Sequence, residues 1–270
     1  VAGKLPAEAR AQSSPTTAPV PDQVAGEDAD PARPIVWSVR EEFYNLPGDS
    51  WTNLLILRSD RAFFQKKPRL GGKRGWLTRL DVPLAVNRRP DETRAGLGDI
   101  YAQVLYFPYL TPKFGFAAGS GLSIPTATND RLGTGKLTLA PVVAPIWFFP
   151  KRGFFFVKLQ DYFSVAGKQD RADLHYFTTT PLLVWRVRRK WWVQFDSEAK
   201  TNFQASGHTG FKSGFLIGRV VKGKMGVWVK PEVGWGRYRE ADFAIKTSFF
   251  RVRTQEKDKK RDRDPSSSPK

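Results

Sequence analysis

The sequence predicts an all-β protein: a transmembrane, antiparallel, up-and-down β-barrel of about twelve strands. Three observations carry this. Apolar residues alternate at period two in repeated blocks of about 10 to 14 residues, bounded by Gly, Pro, Asn, Asp or basic turns. Such blocks exceed the roughly 5 to 6 residues usual for soluble strands and meet the roughly 9 to 11 that a tilted spanning strand needs. The polar faces of these blocks carry charges of both signs in mid-strand, and aromatic residues gather at strand ends as they do at a bilayer interface. A soluble β-sandwich would give the same alternation, but it accounts for neither the strand length nor the mid-strand charges. A spanning helix is excluded, because the longest apolar run, Leu139 to Pro150, is broken by Pro141 and Pro145 and falls short of the roughly 18 residues required.

In chain order, residues 1–34 are rich in Ala, Pro, Ser and Thr with acids at Asp22, Glu27, Asp28 and Asp30. They lack periodicity and read as a disordered leader or linker. The chain starts at Val1 without an apolar h-region, which leaves both a removed signal peptide and a trimmed chain open. The first two strands start near Val36 and Trp51, the second alternating less cleanly over Asn53–Phe64. The third, Trp76–Val86, sets Trp76, Leu80, Val82, Leu84 and Val86 opposite Arg79 and Asp81. Strands near Gly98 and Phe114 bracket the aromatics Tyr106, Phe107, Tyr109, Phe114 and Phe116. The next pair, near Lys136 and Phe154, brackets Trp147, Phe148, Phe149 and Phe154, Phe155, Phe156. A strand near Leu174 runs to Trp185. The following one sets Trp191, Val193, Phe195 and Ala199 opposite Gln194, Asp196, Glu198 and Lys200. The last three start near Gly210, Met225 and Asp242, and in Met225–Trp235 the residues Met225, Val227, Val229, Val233 and Trp235 lie opposite Lys230 and Glu232. The barrel is thus expected over 35–253, followed by a charged disordered tail over 254–270.

An even strand count puts both chain ends on one side. The connections then sort into short turns around 66–75, 109–113, 150–153, 188–190 and 221–224, and longer loops around 45–50, 87–97, 125–135, 166–173, 201–209 and 237–241, as in outer-membrane barrels. Lys plus Arg is 44 against 26 Asp plus Glu, a net charge of +18. Much of that excess sits in the short turns, at Lys66, Lys67, Arg69, Lys73, Arg74, Lys113, Lys151, Arg152, Arg188, Arg189, Lys190, Lys222 and Lys224, with no acid among them. This cationic rim is expected to meet anionic lipid head groups just beyond the aromatic girdle, the alternative being a merely solubilising, topology-setting role.

The inward faces nominate the lumen lining: Arg79, Asp81, Tyr101, Gln103, Lys158, Gln160, Tyr176, Arg186, Gln194, Asp196, Glu198, Lys230 and Glu232. Opposed charges across a narrow wet lumen set up a transverse field that orients polar solutes. Long side chains could also pair across it and plug it. Trp192 and Trp228, also turned inward, either line a path or fill space.

Other functions fit less well. With Cys absent and only His175 and His208 present, thiolate and His-based metal sites find no ligand set, and no cofactor or metal is expected. Ser206-Gly-His208 lacks a third catalytic group, so no enzyme activity is assigned. Gly133-Thr-Gly-Lys136 fails the phosphate-loop pattern, having Asp130 in place of the first glycine and Leu137 after the lysine. A basic, aromatic-rich chain invites a nucleic-acid partner, but here the aromatics fall on the apolar faces.

Several segments resemble the bacterial outer-membrane family of the MetA pathway of phenol degradation. They are Leu80-Asp-Val-Pro-Leu84, Gly96-Leu-Gly-Asp99, Leu122-Ser-Ile-Pro-Thr-Ala-Thr-Asn-Asp130, Leu132-Gly-Thr-Gly-Lys136 and Ala166-Gly-Lys-Gln-Asp-Arg-Ala-Asp173. Their order, over roughly residues 40 to 250, makes the resemblance specific. It implies an outer-membrane β-barrel of a Gram-negative-type bacterium that helps small, often apolar or aromatic, compounds across, with both termini periplasmic. The expected partners are outer-membrane lipids and a small solute, and the oligomeric state is open. The expected function is passive, channel-like passage, the alternative being a closed structural or lipid-interacting barrel without conductance. One departure stands out: such barrels end on a terminal aromatic, whereas Phe249 and Phe250 are followed here by Arg251-Val-Arg253.

Overall fold

The computed structural model describes residues 35–65, 72–188, 190–222 and 224–252, without the side chain of Lys222. The expected leader over 1–34, the tail over 254–270 and the rim candidates Lys66, Lys67, Arg69 and Arg189 lie outside the described residues, as does the Lys222 side chain.

The described chain is built from strands β1 (Ile35–Leu46), β2 (Ser50–Phe64), β3 (Lys73–Arg88), β4 (Thr93–Leu97), β5 (Ile100–Leu110), β6 (Phe114–Ile124), β7 (Lys136–Phe149), β8 (Gly153–Gly167), β9 (His175–Arg188), β10 (Trp191–Asn202), β11 (His208–Lys222), β12 (Met225–Trp235) and β13 (Phe243–Val252), with one 3-10 turn, Phe203–Ala205. All but β4 pair antiparallel with their neighbours along the chain, and β1 pairs with β13. The result is a closed barrel of twelve strands. Closure leaves none of these twelve strands as a free edge, which is what a sheet surrounded by hydrocarbon requires.

Alternation orients the walls. Trp76, Phe195 and Val233 are 50%, 54% and 58% exposed on the outside, while Asp81, Asp196 and Glu232 of the same strands are buried within. The untidy alternation of β2 has a cause: Leu54 and Ile56 turn inward, where they pack with Tyr44, Leu46, Ala85, Ala244 and Leu132.

Three sequence expectations need correction. The stretch 87–97, read as a loop, contains β4, and the next strand begins at Ile100. Proline chemistry explains the break. Pro83 of β3 has no N–H to offer a neighbour, so β5 pairs with β3 only as far as Asp81–Tyr101, and β4 takes over from Leu84–Leu97. Gly98 bridges the gap by donating its N–H to the Pro83 carbonyl at 2.9 Å. Pro108 likewise lies within the register shift between Tyr106 and Tyr109 on the β5–β6 side.

The second correction concerns the aromatics. Phe154, Phe156 and Phe107, read as part of an outer girdle, are buried inside the barrel, while Phe155 pairs with Trp147 on the outer face. His208 opens β11 instead of lying in a loop, and its ring stacks on Tyr238 at 3.9 Å.

Candidate functional site

The barrel interior is arranged in three levels. At the end carrying the short turns lies an apolar layer. Ile35, Phe154, Phe156, Leu182, Val184, Trp192, Leu216, Val220, Trp228, Phe250 and Val252 form one cluster, flanked by Ala144, Ile146 and Phe148. Leu105, Phe107, Ala117 and Val142 form a second, which shares Ala144 and Ile146 with the first. Together they draw on nearly every strand of the ring. Trp192 meets Phe250 edge-on at 5.7 Å, a favoured geometry for paired rings.

Above this layer the wall is polar, and its two sides differ. From β10 through β13 and β1 to β3 it is ionic. Arg58 donates through Nε and Nη2 to Asp81, both at 2.7 Å, and Arg79 donates to Asp60 at 2.9 and 3.2 Å. These are two-pronged contacts of the kind guanidinium favours. Arg40 pairs with Glu42, whose other oxygen accepts the Tyr44 hydroxyl. Lys230 bridges Asp196 at 2.9 Å and Glu232 at 2.8 Å, and Lys246 reaches Glu232 at 2.7 Å. β11 makes the Lys230–Asp196 crossing possible. Gly214 lies between Asp196 and Glu232 in register, and a Cβ there would sit 2.7 Å from Lys230 Cε.

From β5 to β9 the wall is built of hydroxyls and amides. Gln160 Nε2 donates to Tyr101 Oη at 3.3 Å and to the Ala140 carbonyl at 3.2 Å, while its Oε1 accepts the Tyr162 hydroxyl at 2.8 Å. Gln103 donates to the same Tyr101 oxygen at 3.1 Å. Tyr162 stacks on Tyr176 at 4.5 Å, and Lys200 Nζ lies 3.9 Å from the Tyr176 ring centre. Glu198 joins the two sides, accepting from Thr180 Oγ1 at 3.2 Å and pairing with Lys212 at 3.2 Å.

The third level lies at the end carrying the longer loops, and the segments that carry the family resemblance meet there. Asp99 Oδ2 accepts the N–H and hydroxyl of Thr134 at 2.6 and 2.9 Å, and its Oδ1 accepts Ala127 N–H at 3.2 Å. Arg171 donates to the carbonyls of Asp130 and Gly133 at 2.9 and 3.0 Å. A cleft of about 380 Å³ lies among Asp99, Ala127, Asn129, Asp130, Gly133 and Lys168. The loop carboxylates are held below the ordinary aspartate range: Asp130 by its hydrogen bond from Lys168, Asp91 by one from Arg131, and Asp173 by those from Lys136 and Ser164.

The interior therefore receives Arg79, Asp81, Tyr101, Gln103, Lys158, Gln160, Tyr176, Gln194, Asp196, Glu198, Lys230 and Glu232 as buried side chains. Arg186 is half-buried near the short-turn end, where its N–H donates to the Arg152 carbonyl at 2.6 Å. Of the rim residues, Lys73, Arg74, Lys113, Lys151, Arg152, Arg188, Lys190 and Lys224 are exposed. Arg152 and the neighbouring Arg219 lie over Trp185 and Trp191, at 5.9 and 4.9 Å from their ring centres. Sequence reasoning missed Arg40, Glu42, Arg58, Asp60 and Lys246. For Lys246 the signal was present, since Phe243, Ile245 and Phe249 mark the outer face of β13. In β1 it was blurred by Glu41, an exposed outward carboxylate that accepts a hydrogen bond from Asn53 at 3.1 Å.

A model of the family described as "Putative MetA-pathway of phenol degradation" matches residues 70–213. Among solved structures, an outer-membrane channel from Pseudomonas putida F1 aligns with a TM-score of 0.65 at 10% identity, covering 86% of this chain and all of that one at 100%. The NanC porin aligns at 0.55 and the KdgM porin at 0.52, each at 8% identity over 80% of this chain and 99% of the other. At such identities the likeness is one of fold. No curated protein matches the sequence.

Proposed function

The chain belongs to the family described as "Putative MetA-pathway of phenol degradation", and from that premise we propose that it is a bacterial outer-membrane channel passing small solutes by passive diffusion. One observation carries the reading: a closed twelve-strand barrel, apolar outside, whose interior wall is charged on one side and hydroxyl- and amide-lined on the other. Such a wall serves water and small polar groups, and its opposed faces orient a dipolar solute. The near-complete burial of Glu42, Asp81, Gln160 and Lys246 supports a narrow passage and small cargo. Among the described residues lining it are Arg79, Asp81, Tyr101, Gln103, Lys158, Gln160, Tyr176, Gln194, Asp196, Glu198, Lys230 and Glu232.

Ile35 and Val252 belong to one apolar cluster at the short-turn end, so both barrel termini leave on one side. That side is assigned to the periplasm. The exposed rim cations, flanked by Trp185 and Trp191, then meet anionic head groups of the inner leaflet.

A second reading, a closed structural or lipid-interacting barrel without conductance, is favoured by the apolar layer, which fills the short-turn end. Single-channel recording in planar bilayers separates the two. Discrete openings from folded protein support passage, and silence supports closure.

A further inference from the structure

Among the described residues, the buried charges of the interior are matched: Arg58 by Asp81, Arg79 by Asp60, Arg40 by Glu42, Lys230 and Lys246 by Glu232, Lys136 by Asp173. Lys158 differs. It is 3% exposed, yet no ion pair, hydrogen bond or aromatic contact reaches its ammonium. Its ammonium is thus a cation facing the interior for which the protein supplies no counter-charge, and a full charge in that position attracts an anion strongly.

Its surroundings explain why the protein itself supplies no partner. Across the β8–β9 ladder it faces Thr180, whose hydroxyl is committed to Glu198. Its inward neighbour Gln160 is committed at both ends of its amide. On the β7 side the register passes from Val143–Leu159 to Ile146–Phe156, leaving only Ala144 and Pro145 nearby. Its other inward neighbour, Phe156, belongs to the apolar layer together with Leu182. That layer holds two more donors lacking an acceptor, the buried indole N–H groups of Trp192 and Trp228. The boundary between the polar wall and the apolar layer is therefore rich in donors, and its anions, Asp196 beside Leu182 and Glu198 beside Thr180, are already paired with Lys230 and Lys212.

We propose that Lys158 anchors an interior binding site for a monovalent carboxylate bearing an apolar group. The ammonium takes the carboxylate through charge-assisted hydrogen bonds, and the apolar body rests on Phe156 and Leu182. The site deepens the proposed passage and rests on it only in requiring that the interior be reached from solution.

Calorimetric titration of the folded chain in neutral detergent with sodium hexanoate, corrected against empty micelles, tests it. Saturable binding is expected, weakened by about tenfold or more in Lys158→Gln and largely retained in Lys158→Arg. The neutral probe 1-hexanol should bind all three equally. Heat-modifiable gel migration checks that each barrel is folded, and Lys158→Met replaces the glutamine variant if that one fails. No saturable hexanoate binding, equal binding by Lys158→Gln, or acetate binding as tightly as hexanoate would overturn the proposal. Because the readout needs no current, a barrel silent in bilayers can still support it, and a conducting barrel that ignores hexanoate ends it.

Discussion

The wall from β10 through β13 and β1 to β3 and the wall from β5 to β9 enclose the same interior but neutralise their polarity by different means. On the first, full charges face one another in pairs. On the second, Tyr101, Gln103, Gln160, Tyr162 and Thr180 share hydrogen bonds, and the buried full charges are those of Lys158 and, at the loop end of β7, Lys136. The difference teaches which wall tolerates change. Removing one member of a buried ion pair strands its partner, whereas removing a hydroxyl from a shared network leaves the remaining groups neutral.

The largest effect is expected where a two-pronged pair is cut. Asp81→Ala should lower barrel stability by about 3 to 5 kcal/mol, because Arg58 stays buried without its carboxylate. Urea unfolding in lipid vesicles, followed by heat-modifiable migration, measures this, and the double variant Arg58→Met, Asp81→Leu should recover much of the loss. Next comes Gly214→Val on β11, whose side chain would occupy the path of Lys230 to Asp196. A loss of about 2 to 3 kcal/mol is expected in the same assay. On the opposite wall, Tyr101→Phe should cost only about 1 to 2 kcal/mol, since Gln103 and Gln160 lose one acceptor between them. If Tyr101→Phe proves as damaging as Asp81→Ala, the contrast between the walls fails.

The smallest effect lies outside both walls. Asp130 and Asp91 sit below the ordinary aspartate value of 3.8 because Lys168 and Arg131 donate to them. A carboxylate with a depressed folded value contributes order that is complete above the ordinary value and lost as pH falls through the depressed one. Protection against hydrogen exchange at Leu132 and Thr134, the rate corrected for the intrinsic pH dependence of amide exchange, should therefore be unchanged from neutral pH down to the ordinary aspartate range and fall only below it. Loss of protection already near neutrality would contradict the loop pairing.

Much of this was legible in the sequence for a simple reason. Period-two alternation reports which side of a sheet meets an apolar phase, so Trp191, Phe195, Val227 and Val233 declared the outer wall, and Asp196 and Lys230 the inner one. The alternation fails where both faces are apolar. Phe154-Phe155-Phe156 looks uniform to a pattern reader, and only the closed ring separates the inward pair from the outward Phe155. The same blindness hid the inward Leu54 and Ile56. The motif-bearing segments signalled kinship without geometry: Asp99, Thr134 and Arg171 lie far apart in the chain, and the hydrogen bonds joining them exist only once β5 to β9 stand side by side in the ring.

The crossed pairs between β2 and β3 also bear on how the barrel forms. Arg58 stands opposite Asp81, and Asp60 opposite Arg79. A strand threading into the sheet can slip by two residues and still keep its apolar face outward, so alternation by itself does not exclude that error. Here such a slip would set Arg58 against Arg79 in one direction and Asp60 against Asp81 in the other, juxtaposing like charges in a confined interior. The four side chains thus act as a proofreading device, making the correct alignment of these two strands distinguishable from its nearest amphipathic decoys.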